Sequence, residues 1–547
     1  MKVKKLLLIG ATMLASTSML AGCGGHSSES KAPDNTARIM VKDVIATMDS
    51  SLNTDVIGAQ AATNTMEGLY RYKGKTIEPG IAEKVVKPTN NGLTYTFHLR
   101  DAKWSNGDPV TADDFVFAWR RTVDPKTKSQ YAYIYEGIAN AAKITAGKKP
   151  VDSLGVKALD KHTLQVTLEK PIPYFSKLIT ASFYFPQNQK VVEKWGKKYG
   201  TNSKTLVFDG PYKLVNWDGP DNTWNEVKNN DYWDAKDVKV KKLQYQVVKD
   251  PTTALNLYQS NKLDDVILTG DNAKQMRSNK DYVTRPMNST FYLNMNQKRQ
   301  PLFKNANIRR ALSLTINRAQ LTKKVLGDGS KPASTFIPRN MSYDPADKSK
   351  DFVDESAASA NKYAKYDVTE AKRLWKQGLK ETGNTGKKFN FVLLGDDTDT
   401  AKKQAEFLQN EIEKLPGLKL TLNNVPFKSR LSRSASGDFD IVAMAWNADF
   451  PDPINFLTLM TKNASYNFGK WSNAKYDSLV NRSMQEDANN PSKRWQDMEA
   501  AQNIINDQQG VVPLYQVGEA HLTKSRISDY ILSPNGSYNM ALLRLNK

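Results

Sequence analysis

Three groups of residues in this chain are of types that could do chemistry: adjacent carboxylates, histidines, and an acid close to a tryptophan. The adjacent carboxylates are Asp113 with Asp114, Asp264 with Asp265, and Asp396 with Asp397. All three pairs fall in turns or at helix starts, where capping is the usual role of an aspartate. The four histidines, His26, His98, His162 and His521, are scattered with no two at ligand spacing, and Cys23 is the one cysteine. That excludes a disulfide framework and a cysteine metal site, and argues against a histidine metal site or triad. No enzyme, metal or cofactor is expected. The third group is Trp446 with Asp449, near the end of Asp438 to Pro453, DFDIVAMAWNADFPDP. Here the chemistry would be binding, not bond breaking.

The element that positions this pair is a strand. Phe439, Ile441, Ala443 and Ala445 share one face, and Val442, Met444 and Trp446 the other. A short run that is apolar on both faces suits an interior strand of a sheet covered on each side. Pro451 and Pro453 cannot continue a ladder. An aromatic and an acid therefore sit where a buried strand runs out into a loop, and in open α/β sheets ligands bind there. The alternative makes Trp446 core and Asp449 the cap of a helix from Ile454 to Met460. Upstream, Lys388 to Leu394 is a strand, Thr400 to Leu415 a helix with Ala401, Ala405, Leu408 and Ile412 on one stripe, and Leu418 to Val425 a strand. With the Asp438 strand these make a parallel α/β unit. Asp367 and Glu370 cap a further helix.

Nearer the start, Ile39 to Val44 reads as a strand and Ala59 to Leu69 as a helix. Gly92 to Arg100 alternates, with Leu93, Tyr95, Phe97 and Leu99 inward and His98 outward. Thr111 and Asp114 have the spacing of a capping box opening a helix through Trp119. Asp160 and Lys161 turn between strands Val156 to Leu159 and Thr163 to Leu168.

At 547 residues the chain should hold two or three domains. Its net charge of +21 is dispersed, with no basic run beside stacked aromatics, so no nucleic-acid partner is expected. Lys2, Lys4 and Lys5 precede the apolar stretch Leu6 to Leu20, which leads into Leu20-Ala21-Gly22-Cys23. A basic start, a short apolar segment and small residues make a secretory signal. Leu-Ala-Gly-Cys resembles the bacterial lipobox, which implies a lipid on Cys23 and anchoring without a spanning helix. Residues 1–22 are then the signal, and 23–37 a polar tether.

Several features in order resemble the oligopeptide-binding proteins of bacterial ABC importers. They are Glu67-Gly-Leu-Tyr70, the strand ending at Leu99-Arg100, Trp104-Ser-Asn-Gly-Asp-Pro-Val-Thr-Ala-Asp-Asp-Phe115, and Gly210-Pro211-Tyr212 before Trp217. Asn230-Asp-Tyr-Trp233, Asn307-Ile-Arg-Arg-Ala-Leu312, Trp446-Asn-Ala-Asp449 and Val512-Pro-Leu-Tyr515 complete the set. The resemblance implies an α/β, two-lobed periplasmic-binding-protein-like fold with an extra inserted domain and a two-strand hinge near Leu293 to Asn296 and Leu514 to Gly518. Lobe I would take residues 38–66, 191–294 and 516–547, the inserted domain 67–190, and lobe II 295–515. It implies a monomeric receptor on the outer face of the cell membrane that binds an extended oligopeptide and delivers it to ABC permease subunits. A pheromone-sensing receptor or an adhesin on the same scaffold is the alternative. Asp449 matches the acid that pairs with the ligand's α-ammonium, and Ala445 and Asn447 match residues whose backbone pairs with the ligand. Thr54 and Val56 fall on the opposing segment, and Tyr131 and Trp446 match aromatics over the ligand's first residues. Where some members carry an arginine near the ligand carboxylate, this chain has Ala443, which leaves room for longer ligands.

Overall fold

The structure is a computed structural model and describes residues 35–546 apart from Lys75 and Lys348. The signal, Cys23 and the tether up to residue 34 lie outside the described residues. From Asn35 the chain enters strand β1 (Thr36–Val41), which starts three residues before the expected Ile39, and then helix α1 (Val56–Thr65). This helix begins earlier than the expected Ala59 because Asp55 caps it, accepting the N–H groups of Ile57 and Gly58 at 3.0 and 2.8 Å. It stops at Thr65 because Met66 turns extended and the Glu67 N–H goes to Asp209 Oδ1 at 3.1 Å.

A hairpin of β2 (Tyr70–Lys73) and β3 (Thr76–Pro79) follows. Next comes a three-stranded antiparallel sheet of β4 (Thr94–His98), β5 (Val156–Asp160) and β6 (Thr163–Thr167), in the order β4-β6-β5. Its alternation holds: Tyr95, Phe97 and Leu99 are buried and His98 is exposed. Helix α2 (Ala112–Val123) starts at the expected capping box, with Asp114 Oδ2 accepting the Thr111 N–H at 2.8 Å.

The remaining long strands join β1 in one eleven-stranded mixed sheet. They are β7 (Tyr212–Val215), β8 (Thr223–Lys228), β9 (Lys242–Val247), β10 (Asp265–Leu268), β11 (Tyr282–Met295), the short β12 (Lys331–Pro332), β13 (Phe389–Asp396), β14 (Leu418–Val425), β15 (Ile441–Asn447) and β16 (Val512–Thr523). The order is β14-β13-β15-β11-β16-β10-β1-β9-β8-β7, with β12 on β16. The stretch that is apolar on both faces is β15, an interior strand with Ile441 to Met444 buried. It runs parallel to β13, and β13 runs parallel to β14 through the helix Asp399–Ile412, so the α/β unit is as expected. Asp367 caps the helix Val368–Glu381, but Glu370 pairs with Arg373 on the surface and does not reach back to the cap.

Two groups of strands flank β11 and β16, and among the described residues only these two long antiparallel strands connect them. Their ladder is interrupted. Tyr282 to Pro286 pairs with Gly518 to Leu522, Thr290 to Leu293 pairs with Val512 to Gln516, and the register shifts between Pro286 and Thr290. Pro286 has no N–H to offer the ladder. Gly518 is required on the other side, since a Cβ there would stand 2.7 Å from the Gly329 backbone.

Candidate ligand cavity

A cavity of about 520 Å³ lies between the two strand groups, and all seven residues expected at the site line it: Thr54, Val56, Tyr131, Ala445, Trp446, Asn447 and Asp449. One wall is the end of β15. Pairing with β13 stops at Leu394 with Val442, so from Ala443 to Asn447 that edge of β15 has no partner strand. Ala445, exposed in an otherwise buried strand, faces the opening. The opposite wall is the segment before α1. Among the described residues neither the Thr54 N–H nor the Val56 N–H donates to any protein acceptor, while the Asp55 N–H between them is held by Asn53 Oδ1 at 2.9 Å. Val56 itself opens a helix, so this wall offers two free donors on either side of a held one and is not a strand.

Trp446 and Asp449 are fixed together by Asn455, a residue the sequence reading missed. Its Oδ1 accepts the Trp446 Nε1–H at 2.9 Å and the Asp449 N–H at 3.3 Å, and its Nδ2 donates to Asp449 Oδ2 at 3.2 Å. Asp449 does not cap the next helix; the Ile454 N–H goes to Asp452 Oδ1 at 3.0 Å. Tyr131 reaches across from the segment after α2 and donates its hydroxyl to Asp449 Oδ1 at 3.3 Å. Its ring stacks on Phe183 at 4.7 Å and lies 6.4 Å from Trp446, while Tyr466 meets Trp446 edge-on at 4.7 Å. The result is a carboxylate in an aromatic box with two side-chain hydrogen bonds and no ion-pair partner among the described residues. Burial pushes the Asp449 carboxyl up to about 7, against the pull of Asn455 and Tyr131.

Two of the adjacent carboxylate pairs do not cap as expected. Asp265 is the first residue of β10, wholly buried, with His521 Nδ1 at 2.9 Å and Arg285 at 3.4 Å. Burial pulls the His521 imidazole down, but Asp265 and Glu519 together hold it above its ordinary value. The other ring nitrogen has no hydrogen bond and lies 3.5 Å from Glu519, so this histidine sits between two carboxylates. Asp264 pairs with Arg526, Asp396 with Arg430 at 2.9 Å, and Asp397 with Lys249 at 3.0 Å. Only Asp113 with Asp114 starts a helix. Among the described residues no group of three or more His, Cys, Asp or Glu side chains could hold a metal, and no helix is long and apolar enough to cross a membrane.

Several contacts span the cavity besides that of Tyr131 with Asp449. Ser465 Oγ donates to Gln130 O at 3.1 Å, the Thr269 and Thr400 hydroxyls meet at 2.8 Å, and Lys249 bridges Asp43 and Asp397. The two strand groups are thus drawn together over the site.

Two strand groups joined by two strands, with unpaired backbone on both walls of the gap, define a two-lobed binding protein. The chain belongs to the bacterial extracellular solute-binding proteins of family 5, whose sequence model (family 5 Middle) matches residues 76–468. It is 37% identical over 491 residues to a dipeptide-binding protein of Lactococcus lactis subsp. cremoris, covering 87% of each chain. It is 32% identical to the oligopeptide-binding protein OppA of Bacillus subtilis, covering 98% of each. Among solved structures it matches Listeria monocytogenes OppA bound to peptide with a TM-score of 0.89 at 39% identity, over 94% of this chain and 100% of that one. The pheromone receptor PrgZ matches with a TM-score of 0.87 at 36% identity, over 94% and 100%. The Escherichia coli murein tripeptide-binding protein MppA matches at 0.83, over 94% of this chain and 99% of that one, but an unliganded open form of MppA matches at only 0.62, over 94% and 98%; identity is 28% in both. The arrangement described here is therefore not the open one.

Proposed function

We propose that the chain is an extracytoplasmic receptor that binds oligopeptides in extended form between two closing lobes and delivers them to an ABC permease. The observation that carries this reading is the pair of unpaired backbone edges, Ala443 to Asn447 and Thr54 to Val56, facing one cavity beside a carboxylate without a counter-ion. Unpaired main-chain groups on two walls suit strand addition, in which backbone hydrogen bonds supply affinity whatever the ligand's sequence. Ala445 and Asn447 would pair with the ligand from one lobe, and the Thr54 and Val56 N–H groups would donate to its carbonyls from the other. Asp449 would take the α-ammonium, with Tyr131 and Trp446 walling in the first residues. The names of the relatives and the peptide in the Listeria structure support the ligand class.

The lobes would follow the boundaries expected from sequence, 38–66, 191–294 and 516–547 against 295–515, with 67–190 attached to the first. The break in the β11–β16 ladder, however, supports bending at residues 287–289, not at the expected Leu293 to Asn296, which would move 290–294 into the second lobe; on β16 it supports the expected Leu514 to Gly518. Cys23 would carry the lipid that holds a monomer at the outer face of the membrane. No catalysis, cofactor or nucleic acid enters this reading. Sequencing peptides that copurify with residues 24–547 tests it: a ladder of mixed peptides is expected, and recovery of a single non-peptide solute would overturn it. The likeness to PrgZ favours one second reading, a pheromone-sensing receptor. Loss of signalling with peptide uptake intact, on deleting the gene, would select it.

A further inference from the structure

The chain is strongly basic, at +21, yet its cavity is acidic: eight carboxylates line it against three cationic side chains. The three cations are already paired. Lys249 lies 3.3 Å from Asp43, Arg430 lies 2.9 Å from Asp396, and Lys42 pairs with Glu519. His521 and Arg285 neutralise Asp265. Burial pushes Glu226 up to about 8, so it is protonated near neutral pH and shares Asn64 Nδ2 as a neutral group. That leaves Asp449, Asp328 and Asp55, none with an ion-pair partner among the described residues.

Asp449 stands where a ligand's α-ammonium would lie. Asp55 needs a separate account. It is 7% exposed, it lines the cavity, and its Oδ1 alone serves the two N–H groups at the start of α1. Its Oδ2 has no hydrogen-bond partner. A helix cap uses one oxygen and needs no charge, since asparagine caps as well as aspartate. A second oxygen left without a partner and a charge left without a cation are unfavourable in a site this sheltered. Arg430 makes no ion pair with Asp55, although its charge favours the ionised Asp55, and its own partner is Asp396. A ligand carboxylate placed there would face Asp55, Asp43 and Asp396 together.

We propose that the cavity selects peptides bearing a cationic side chain, lysine or arginine, and that Asp55 is the residue that selects them. This rests on the peptide-binding reading. Asp55 stands between the two free donors, Thr54 and Val56, and so beside the ligand residues those donors would hold. Low-dielectric walls concentrate its field on whatever enters.

The test uses the mature protein and alanine peptides of three to five residues, in which lysine, norleucine or glutamate is walked along the chain. Norleucine matches the lysine stem without the charge. At one position lysine should bind at least tenfold more tightly than norleucine, and glutamate more weakly than both. In Asp55→Asn, which keeps the helix cap, the lysine-to-norleucine ratio at that position should fall below threefold. Absence of a lysine preference at every position, or its survival in Asp55→Asn, would overturn the proposal. Peptides that bind without such a preference leave the peptide reading intact; failure of every frame to bind would sink both.

Discussion

Replacing Asp449 by Asn removes one charge from the aromatic box and leaves one accepting oxygen, enough to keep the bond from Tyr131 but not also the one from Asn455 to the second oxygen. The expected loss follows from the surroundings. The carboxylate has no competing cation among the described residues, Trp446, Tyr131 and Tyr466 shield it, and an ammonium placed there would form a pair out of water. Deleting one partner of a buried pair typically costs about 3–5 kcal/mol, because the other charge is stranded. Half-protonation of the free carboxyl at pH 7 takes back only about a factor of two. At about 1.4 kcal/mol per tenfold, even the lower figure leaves more than a hundredfold loss of affinity. Titration calorimetry with a peptide and its N-acetyl derivative, on wild type and Asp449→Asn, completes a double-mutant cycle. Acetylation should weaken binding to wild type about as much as the mutation does, and the two losses should be strongly non-additive. Equal binding of free and acetylated peptide to wild type would refute the assignment.

The same carboxyl makes binding pH-dependent. Below pH 7 an incoming ammonium must displace a proton, so affinity should fall up to about tenfold per unit between pH 7 and 5, and Asp449→Asn should lose that slope. In the ligand-free protein the sign reverses: a carboxyl raised from 3.8 to about 7 costs stability that grows as pH rises through that window and is absent below about 4. Asp449→Asn should therefore raise the melting temperature at pH 8, by at most about 4 kcal/mol of stability, and not at pH 4. A mutant no more stable than wild type at pH 8 would contradict this. Small-angle scattering should show a smaller radius of gyration with saturating peptide, and an unchanged radius in a sample shown to bind would rule out lobe closure. Mass spectrometry of the membrane-extracted protein should find a diacylglycerol adduct on Cys23 as the first residue; an unmodified Cys23 would remove the anchor.

Much of the scaffold is legible in the sequence because each signal is local. Ile441 to Trp446 is apolar on both faces and is interior; Tyr95, Phe97 and Leu99 alternate and point inward. Legibility fails where one residue type serves two purposes. Asp264 with Asp265 looks like a helix start, yet Asp265 lies in a buried strand, because a carboxylate can be buried wherever His521 and Arg285 meet it from more than two hundred and from twenty positions away. Asp55 follows the largely polar run Asp49 to Thr54, so the helical signal begins only at Ala59, three residues after α1 starts. The site itself joins Thr54 to Asn447 across nearly four hundred residues. Trp446 and Asp449 at a strand end pointed to one wall; the opposite wall came from the family resemblance alone. Asn455 was not legible at all, since its contacts depend on how the loop folds back after Asp449.

An unpaired strand edge is ordinarily a hazard, because any other extended chain, including a second copy of the same protein, can dock on it. Here the bare backbone of β15 from Ala443 onward sits at the bottom of a gap, with Tyr131 and the segment from Thr54 to Val56 facing it. A folded sheet is too thick to reach it; a single strand is not. The enclosure that lets the edge accept many sequences thus also decides what kind of object may use it. Selection against aggregation and for broad ligand acceptance is met by the same depth of cleft, and a substitution that held the lobes apart would weaken both.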